Sequence, residues 1–266
     1  MVVAAYLSAL ADGKWGSKKA LSTIERMRAA IRHLHIESGH GNPTADPRVG
    51  RVLRGIRRQL SRKQDRKAPI RTDDIKKMIE ALGNDPRSLR DKALIAIGFA
   101  TGSRRSELAA LKVEDLRSHR DGLIVEIRKS KSDQEGEGLI KLVRMGSSPS
   151  TCPVSLLDRW LAHAGIEAGY VFRSIGNDLT IKEVPISSRG IARAVKRAAK
   201  LVGLNPEHFS GHSLRAGYVT EADARGAKAT DVMAQTGHKS LAMIRIYTRY
   251  NVDERFKEST ALDVGL

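Results

Sequence analysis

The sequence predicts a mainly α-helical protein with one small antiparallel β-sheet, that is, an α+β fold. Apolar residues recur at helical spacing along most of the 266 residues, whereas two stretches, 122–129 and 139–145, alternate as strands do. A third observation concerns organisation: residues 61–69 are polar and charged and end in Pro69, which is typical of an interdomain linker. We therefore expect a helical N-terminal domain over residues 1–66 and a larger domain over residues 67–266.

Three helices are expected in the N-terminal domain. The first covers residues 2–10. The second follows Ser17, its expected N-cap, and carries an apolar stripe formed by Leu21, Ile24, Met27, Ile31 and Leu34. The third starts near Asp46, after a glycine- and proline-rich breaker, and has one apolar and one basic face. Because clustered arginines repel one another unless a polyanion is present, we expect this helix to contact the DNA backbone through Arg51, Arg54 and Arg58.

The larger domain begins with a helix at Thr72, whose first turn carries two aspartates, as the helix dipole favours. A nearly all-apolar helix over residues 89–100 is expected to be buried. The two alternating stretches then form a β-hairpin around a polar loop. Helical patterns return after Pro153 and over residues 187–202, 214–224, 230–235 and 240–249. The basic helix over 187–202 supplies two further candidates for DNA contact, Arg193 and Arg197.

The charge of the chain limits the classes of partner. Its 47 basic and 30 acidic residues give a formal net charge of +17, and such a field attracts polyanions. The first 68 residues hold 15 basic and five acidic residues, a net of +10. No apolar run approaches the roughly 20 residues that cross a bilayer, so no membrane partner is expected. The single cysteine, Cys152, fits a reducing cytoplasm.

Two turns carry arginine or histidine where a purely structural role does not require them. In the first, Thr101-Gly102-Ser103 ends the buried helix, and Ser103 is the expected N-cap of the next one. Arg104 would then lie in the first turn of that helix, where anions bind. In the second, a Gly-His turn contains His238, nine residues before Tyr247.

Two further segments add polar groups. Lys131 lies in the loop of the predicted hairpin, and His212 and Arg215 are three residues apart, which places both on one face of a helix. Each segment alone is commonplace on a protein surface. Two cationic or hydrogen-bonding groups on one helix face nevertheless suit a phosphate oxygen better than an apolar core.

Taken together and in order, these segments resemble the tyrosine recombinase or phage integrase family over about residues 70–255. The resemblance assigns the family's catalytic positions to Arg104, Lys131, His212, Arg215, His238 and Tyr247. Arg105, Lys129 and Tyr250 compete for three of these positions, although the offsets of Arg105 and Tyr250 disfavour them. The preceding basic helices are similar to the family's core-binding domain but about one helix short, so the N-terminus is expected to be truncated.

The resemblance implies an enzyme that cuts and rejoins double-stranded DNA through a 3′-phosphotyrosyl bond, without a cofactor or a metal. It also implies a homotetramer on two DNA sites, with residues 253–266 as the segment that each protomer lends to a neighbour. Three alternatives are a DNA-binding integrase relic without catalysis, a type IB topoisomerase and a generic basic helical protein. All six catalytic positions are filled, which argues against a decayed relic.

Overall fold

A computed structural model describes residues 2–60, 68–128, 138–241 and 243–244. It consists of two compact units, Met1–Asp65 and Arg66–Leu266. The described part of the first unit contains helices α1 (Val2–Asp12), α2 (Leu21–Glu37) and α3 (Pro47–Leu60). Their shared core is formed by Leu7, Ala11, Ile24, Val49, Leu53 and Ile56. The buried residues of α3 are spaced by four and three, which is the period that keeps them on one face of a helix.

Helix α2 differs from its prediction at its start and along its face. It begins at Leu21, with Ala20 rather than Ser17 at the N-cap. Residues 17–19 cannot join the helix because the backbone N–H of Lys19 donates to the carbonyl of Leu10 at 2.9 Å, which holds this segment against the end of α1. Of the predicted apolar stripe, only Ile24 is fully buried, and Leu34 is 63% exposed within this unit.

The second unit alternates helices with short strands. Its described elements are, in order, α4 (Thr72–Ala81), α5 (Pro86–Ala100), α6 (Arg105–Ala110), β1 (Leu116–His119), β2 (Gly122–Ile127), β3 (Leu139–Arg144), α7 (Pro153–Ala164), β4 (Arg173–Ile175), β5 (Ile181–Pro185), α8 (Ser188–Leu201), α9 (Gly211–Ala224) and α10 (Ala229–Thr236). The predicted helices over 187–202 and 230–235 correspond to α8 and α10, whereas α9 begins three residues before its predicted start. Most of the predicted helix over 240–249 lies outside the described residues.

Helix α5 is the centre of this unit. It is buried on all sides and packs against α4, α7, α8 and α9. Asp85 caps its N-terminus by accepting from the backbone N–H groups of Arg87 and Ser88. Near its C-terminal end, a Cβ at Gly98 would lie 2.9 Å from Leu214 Cδ1 and 3.0 Å from Leu108 Cδ1. The glycine therefore allows α6 and α9 to approach the end of α5, where the polar motifs lie.

The strands form two antiparallel sheets. The larger one has the order β1-β2-β3, and its register pairs Leu123 with Val143 and Val125 with Lys141. The smaller sheet pairs β4 with β5. Neither β1 nor the β4–β5 pair was predicted, because these strands have only three to five residues and lack a clear alternation of burial.

Candidate active site

Arg104 is the N-cap residue of α6, which corrects both the expected cap and the expected place of this arginine. Its backbone N–H donates to Glu107 Oε2 at 2.9 Å, and its guanidinium donates to Glu107 Oε1 at 2.6 Å and to the carbonyl of Gly237 at 3.2 Å. Ser103 does not cap the helix because its buried hydroxyl is bonded to Thr101 Oγ1 at 2.8 Å and to Lys141 Nζ at 3.1 Å.

Beneath Arg104 lies a fully buried lysine. Lys141 Nζ donates to Glu107 Oε2 at 3.1 Å, to Ser103 Oγ and to the carbonyl of Thr101 at 3.3 Å. Burial lowers the pKa of Lys141 to about 8, against the opposing charge of Glu107. Burial would raise the pKa of Glu107, but the charge of Lys141 and the hydrogen bonds from Arg104 hold it below its usual value. Glu107 is therefore an ionised, buried anchor for Arg104.

Helix α9 contributes the second arginine. Ser210 caps its start by accepting from the backbone N–H of His212. Arg215, one turn further on and 2% exposed, donates from Nη1 to the carbonyl of Gly102 at 2.9 Å and to the carbonyl of Thr236. Arg215 thus connects the turn after α5 with the end of α10.

His212 lies at the surface end of α9. Its pKa is lowered by partial desolvation and then by the positive charges of Arg215, Arg105 and Arg104. An imidazole in this environment is neutral near pH 7, which is the state in which it can accept a proton.

His238 follows Gly237, which ends α10 in the left-handed conformation at φ +70°. Its Nδ1 lies 2.7 Å from Thr236 Oγ1, and that hydroxyl donates to the carbonyl of Val232 at 2.6 Å. Because the hydroxyl proton is committed to Val232, the ring must donate from Nδ1, which leaves the lone pair on Nε2. Burial and the charges of Arg215 and Arg104 lower the pKa of His238 to about 3.

Helix α10 is held in place by an amide clamp. Gln235 Nε2 donates to the carbonyls of Leu142 at 2.7 Å and Ala100 at 3.1 Å, and Gln235 Oε1 accepts from the backbone N–H of Leu142 at 3.0 Å. One side chain thereby fixes α10 to the edge of β3 and to the end of α5. The turn that carries His238 is positioned by the same contacts.

Four of the six predicted catalytic residues lie in the described part of this region. Arg104, Arg215 and His238 are connected through the backbone carbonyls of Gly102, Thr236 and Gly237. His212 is close enough that the charges of both arginines lower its pKa. The other two, Lys131 and Tyr247, lie outside the described residues, as do their competitors Lys129 and Tyr250.

The predicted DNA-contact residues have two different environments. Arg51, Arg54 and Arg58 are exposed along α3, and Arg193 is exposed on α8. Arg197 is instead half-buried and forms an ion pair with Asp91 of α5, whose side chain is fully buried. This ion pair was not predicted from the sequence.

The residues that support the site were not predicted from the sequence. None of Lys141, Thr236 and Glu107 was a candidate site residue. One signal was present: Lys141 and Val143 are both buried positions of β3, whose neighbours alternate with them as exposed residues. A lysine at an inward-facing strand position indicates a buried charged partner.

Comparison with known proteins decides the family. A model of the phage integrase family matches residues 69–254. An integrase/recombinase XerD homologue from Selenomonas ruminantium is 36% identical over 246 residues, covering 91% of this chain and 71% of the relative. The chain belongs to the phage integrase family. This recombinase is also 28% identical to tyrosine recombinase XerC of Lactobacillus delbrueckii subsp. bulgaricus, over 89% of this chain and 75% of that protein.

Solved structures have the same fold. The superposition on the XerH site-specific recombinase bound to palindromic difH substrate covers 97% of this chain and 72% of the XerH chain, with a TM-score of 0.66 and 20% identity. The superposition on a lambda integrase dimer bound to a COC′ core site covers 98% of this chain and 66% of the integrase chain, with a TM-score of 0.58 and 18% identity. The predicted α+β recombinase fold is confirmed, and so is the predicted enzyme class, a tyrosine-type DNA strand transferase that performs site-specific recombination.

Two features are absent from the part of the chain that the structure describes. Within residues 2–60, 68–128, 138–241 and 243–244, no three histidine, cysteine, aspartate or glutamate side chains are grouped as metal ligands would be. Over the same ranges, every helix is too short or too polar to traverse a lipid bilayer.

Proposed function

We propose that Arg104 and Arg215 bind the non-bridging oxygens of one DNA phosphate, that His238 joins them once the negative charge of the phosphate has drawn a proton onto its Nε2, and that Tyr247 attacks the phosphorus. The proposal rests on one observation: the guanidinium groups of Arg104, the N-cap residue of α6, and Arg215, from α9, bond to the carbonyls of Gly237 and Thr236, the two residues that directly precede His238. Arginine suits this role because its guanidinium is planar, multidentate and always charged. Positioned cationic donors stabilise the negative charge that develops on the oxygens in the transition state.

The covalent step requires two proton transfers. The phenol oxygen of Tyr247 forms a bond to phosphorus while the bond from phosphorus to the 5′ oxygen breaks. We assign the phenol proton to His212 and the proton that the departing 5′ oxygen gains to Lys131. The product is a 3′-phosphotyrosine and a free 5′-hydroxyl. Because one ester replaces another, a second strand's hydroxyl can reverse the step without an external energy source.

A trapped covalent adduct tests this proposal. Duplexes that span the DNA beside the gene, nicked close to the cleavage position, would lose the short leaving strand and retain the protein–DNA bond. We expect an adduct with the native protein and with Tyr250→Phe, and none with Tyr247→Phe. Arg215→Ala should reduce the adduct-forming rate by roughly 10²–10³-fold, the usual cost of one such donor. Tight DNA binding without an adduct would contradict the proposal and favour a relic.

We further propose that the enzyme acts in the cytoplasm as a homotetramer on two DNA sites. Support comes from an apolar groove of about 750 Å³ in the second unit, whose lining includes Ile140, Leu142, Tyr218, Ala222 and Ala234. Ile140 and Leu142 are 55% and 61% exposed, so the groove offers a surface for residues 253–266 of a neighbour. Light scattering of the protein with two-site DNA should give four protein copies per complex. Strand exchange between two DNA sites would distinguish a recombinase from a topoisomerase, which only relaxes supercoils.

The N-terminal unit is proposed as the core-binding domain. Arg51, Arg54 and Arg58 are exposed on α3, opposite the apolar residues that form the core of the unit. A row of exposed guanidinium groups is opposite in charge to the phosphates of a DNA backbone, and such contacts position a protein without reading the bases.

A further inference from the structure

A second basic cluster lies away from the catalytic positions. A cavity of about 180 Å³ is lined by four arginines, Arg87 and Arg90 from α5 and Arg193 and Arg197 from α8, together with residues of the β4–β5 hairpin. One water in the liquid occupies about 30 Å³, so the cavity has room for a hydrated phosphate group. Ser187 and Gly190, at the N-terminus of α8, complete the lining on that side.

The arginines around this cavity outnumber the nearby carboxylates. Asp91 accepts from Arg90 at 2.8 and 3.0 Å and pairs with Arg197 through its other oxygen. Asp85 is the other acidic residue whose charge acts on both Arg90 and Arg197. Four guanidinium groups thus face two carboxylates. Burial, followed by the charges of Arg87 and Arg193, lowers the pKa of Arg90 to about 10, so the group remains charged near pH 7.

Several of these arginines are held in fixed positions. Arg87 Nη2 donates to the carbonyl of Gly176 at 2.6 Å, and Arg90 Nη1 donates to the carbonyl of Arg173 at 3.1 Å. These bonds attach α5 to the β4–β5 hairpin, while Asp91 attaches α5 to α8. Arg193 is exposed. The cavity is therefore a preformed basic pocket with one exposed arginine, and it differs from a set of dispersed surface arginines.

We infer that this pocket binds a phosphate of the DNA backbone other than the one that is cleaved. The inference rests on the proposed function, since it takes the same DNA as the ligand. Three features favour a polyanion over a small metabolite. Polar and charged side chains dominate the lining, Arg193 faces solvent, and α8 carries one further cation, Lys200, in its last turn.

The position of α8 links the pocket to the catalytic positions. Ile191 of this helix follows Gly190, which lines the pocket, and its Cγ2 is 3.0 Å from where a Cβ of Gly211 would be. Gly211 directly precedes His212, and the same Cβ would lie 2.5 Å from Arg105 Cγ. A DNA strand held by Arg104 and Arg215 would thus have a second anchoring point one helix away.

Salt dependence of DNA binding tests the inference. The probe is a fluorescent duplex of arbitrary sequence, and Kd is measured against sodium chloride concentration for the native protein, Arg193→Gln, Arg87→Gln and the double variant. The matched control is Arg159→Gln, an exposed arginine on α7 outside the pocket. Arg197 is left unchanged because its loss would leave Asp91 buried with one partner fewer.

We expect the double variant to raise Kd about tenfold, as the loss of one charge-assisted contact does. The slope of log Kd against log salt should fall by about 0.9, the value for one phosphate. Arg159→Gln should change neither quantity. The melting temperature of each variant shows whether it is folded. If Arg87→Gln is destabilised, the test rests on Arg193→Gln alone, because that substitution is at an exposed position and should not affect folding.

Three results would overturn the inference or separate it from the proposed function. An unchanged slope in Arg193→Gln and in the double variant would overturn it. Stabilisation of the native protein by inorganic phosphate, lost in the variants while their DNA slope is unchanged, would assign the pocket to a free anion and also overturn it. A lowered slope together with no Tyr247 adduct in the native protein would support the pocket and contradict the proposed chemistry alone.

Discussion

Lys141 illustrates how one strand position can support an arginine that is proposed to be catalytic. It is fully buried, and its ammonium group is bonded to Glu107, which in turn holds both the backbone and the guanidinium of Arg104. Taking two charges out of water is costly, and their attraction compensates only when the geometry is good. The chain of contacts suggests that this cost is tolerated because it fixes Arg104.

Removal of the lysine should destabilise the second unit. We expect Lys141→Met to lower the free energy of unfolding by about 3 kcal/mol, the low end for breaking a buried ion pair, because Glu107 would remain buried with one cation fewer but would keep Arg104. Urea unfolding at pH 7 measures this change. Ile140→Met, on the opposite face of the same strand and 55% exposed in the native protein, is the control and should change stability little. Equal stability of the two variants would show that the buried pair contributes nothing.

The protonation of His238 couples folding to pH. Its pKa is lowered from 6.5 to about 3 in the folded state, so between these values the unfolded chain binds more protons than the folded one. Stability from this group is therefore fully present above about pH 6.5 and is lost as the pH falls toward 3.

This linkage can be measured by comparison with a variant that does not titrate. We expect the native protein without DNA to lose more free energy of unfolding than His238→Asn between pH 7 and pH 5. The difference should approach about 1.4 kcal/mol per pH unit below pH 6.5. The asparagine amide can still donate to Thr236, so the packing of the turn should be maintained. Parallel pH profiles of the two proteins would contradict the lowered pKa.

At the scale of elements, Gln235 supplies the side-chain hydrogen bonds that attach α10 to the sheet within the described residues. The three hydrogen bonds of Gln235 reach β3 and α5, whereas the buried apolar residue of α10 is Val232. An element with so little buried apolar surface is expected to open locally at low free energy.

Truncation of this side chain should loosen the helix. We expect Gln235→Ala to lower stability by about 1–2 kcal/mol, because the backbone groups of Leu142 and Ala100 lose partners. Amide hydrogen exchange in residues 229–238 should become faster, with little change in α5. Thr230→Ala, at an exposed position of the same helix, serves as the control. Unaltered exchange in Gln235→Ala would show that packing alone holds α10.

The same scale shows what the sequence could and could not predict. Long periodic segments such as α3, α5 and α8 were predicted because an apolar stripe is visible along the chain. Strand β1 was missed because its four residues are mostly exposed. The structural partner of Arg197 was missed because Asp91 is 106 residues away, and ordinary spacing rules do not reach that far. The arginines proposed to be catalytic were predicted from a motif, whereas Lys141 and Thr236, which contact them or their supporting residues, belong to none.

At the scale of the whole molecule, the two units have separate cores. The core of the first unit is formed by residues of α1, α2 and α3. The main core of the second unit is formed by buried residues between Ile70 and Leu214. We expect a fragment of residues 66–266 to unfold cooperatively, with a melting temperature close to that of the second unit in the full chain, as followed by circular dichroism. A non-cooperative transition would show that the second unit needs the first in order to fold.

The hydrogen bonds between Gln235 and Leu142 have a consequence for solubility. β3 is an outer strand of its sheet, and an outer strand with free amides can recruit another chain and seed aggregates. Here one glutamine takes the place of a neighbouring residue, accepting from the amide and donating to the carbonyl of Leu142. Ile140 and Leu142 expose apolar side chains on this strand, so the glutamine blocks a site where intermolecular β-pairing would otherwise begin.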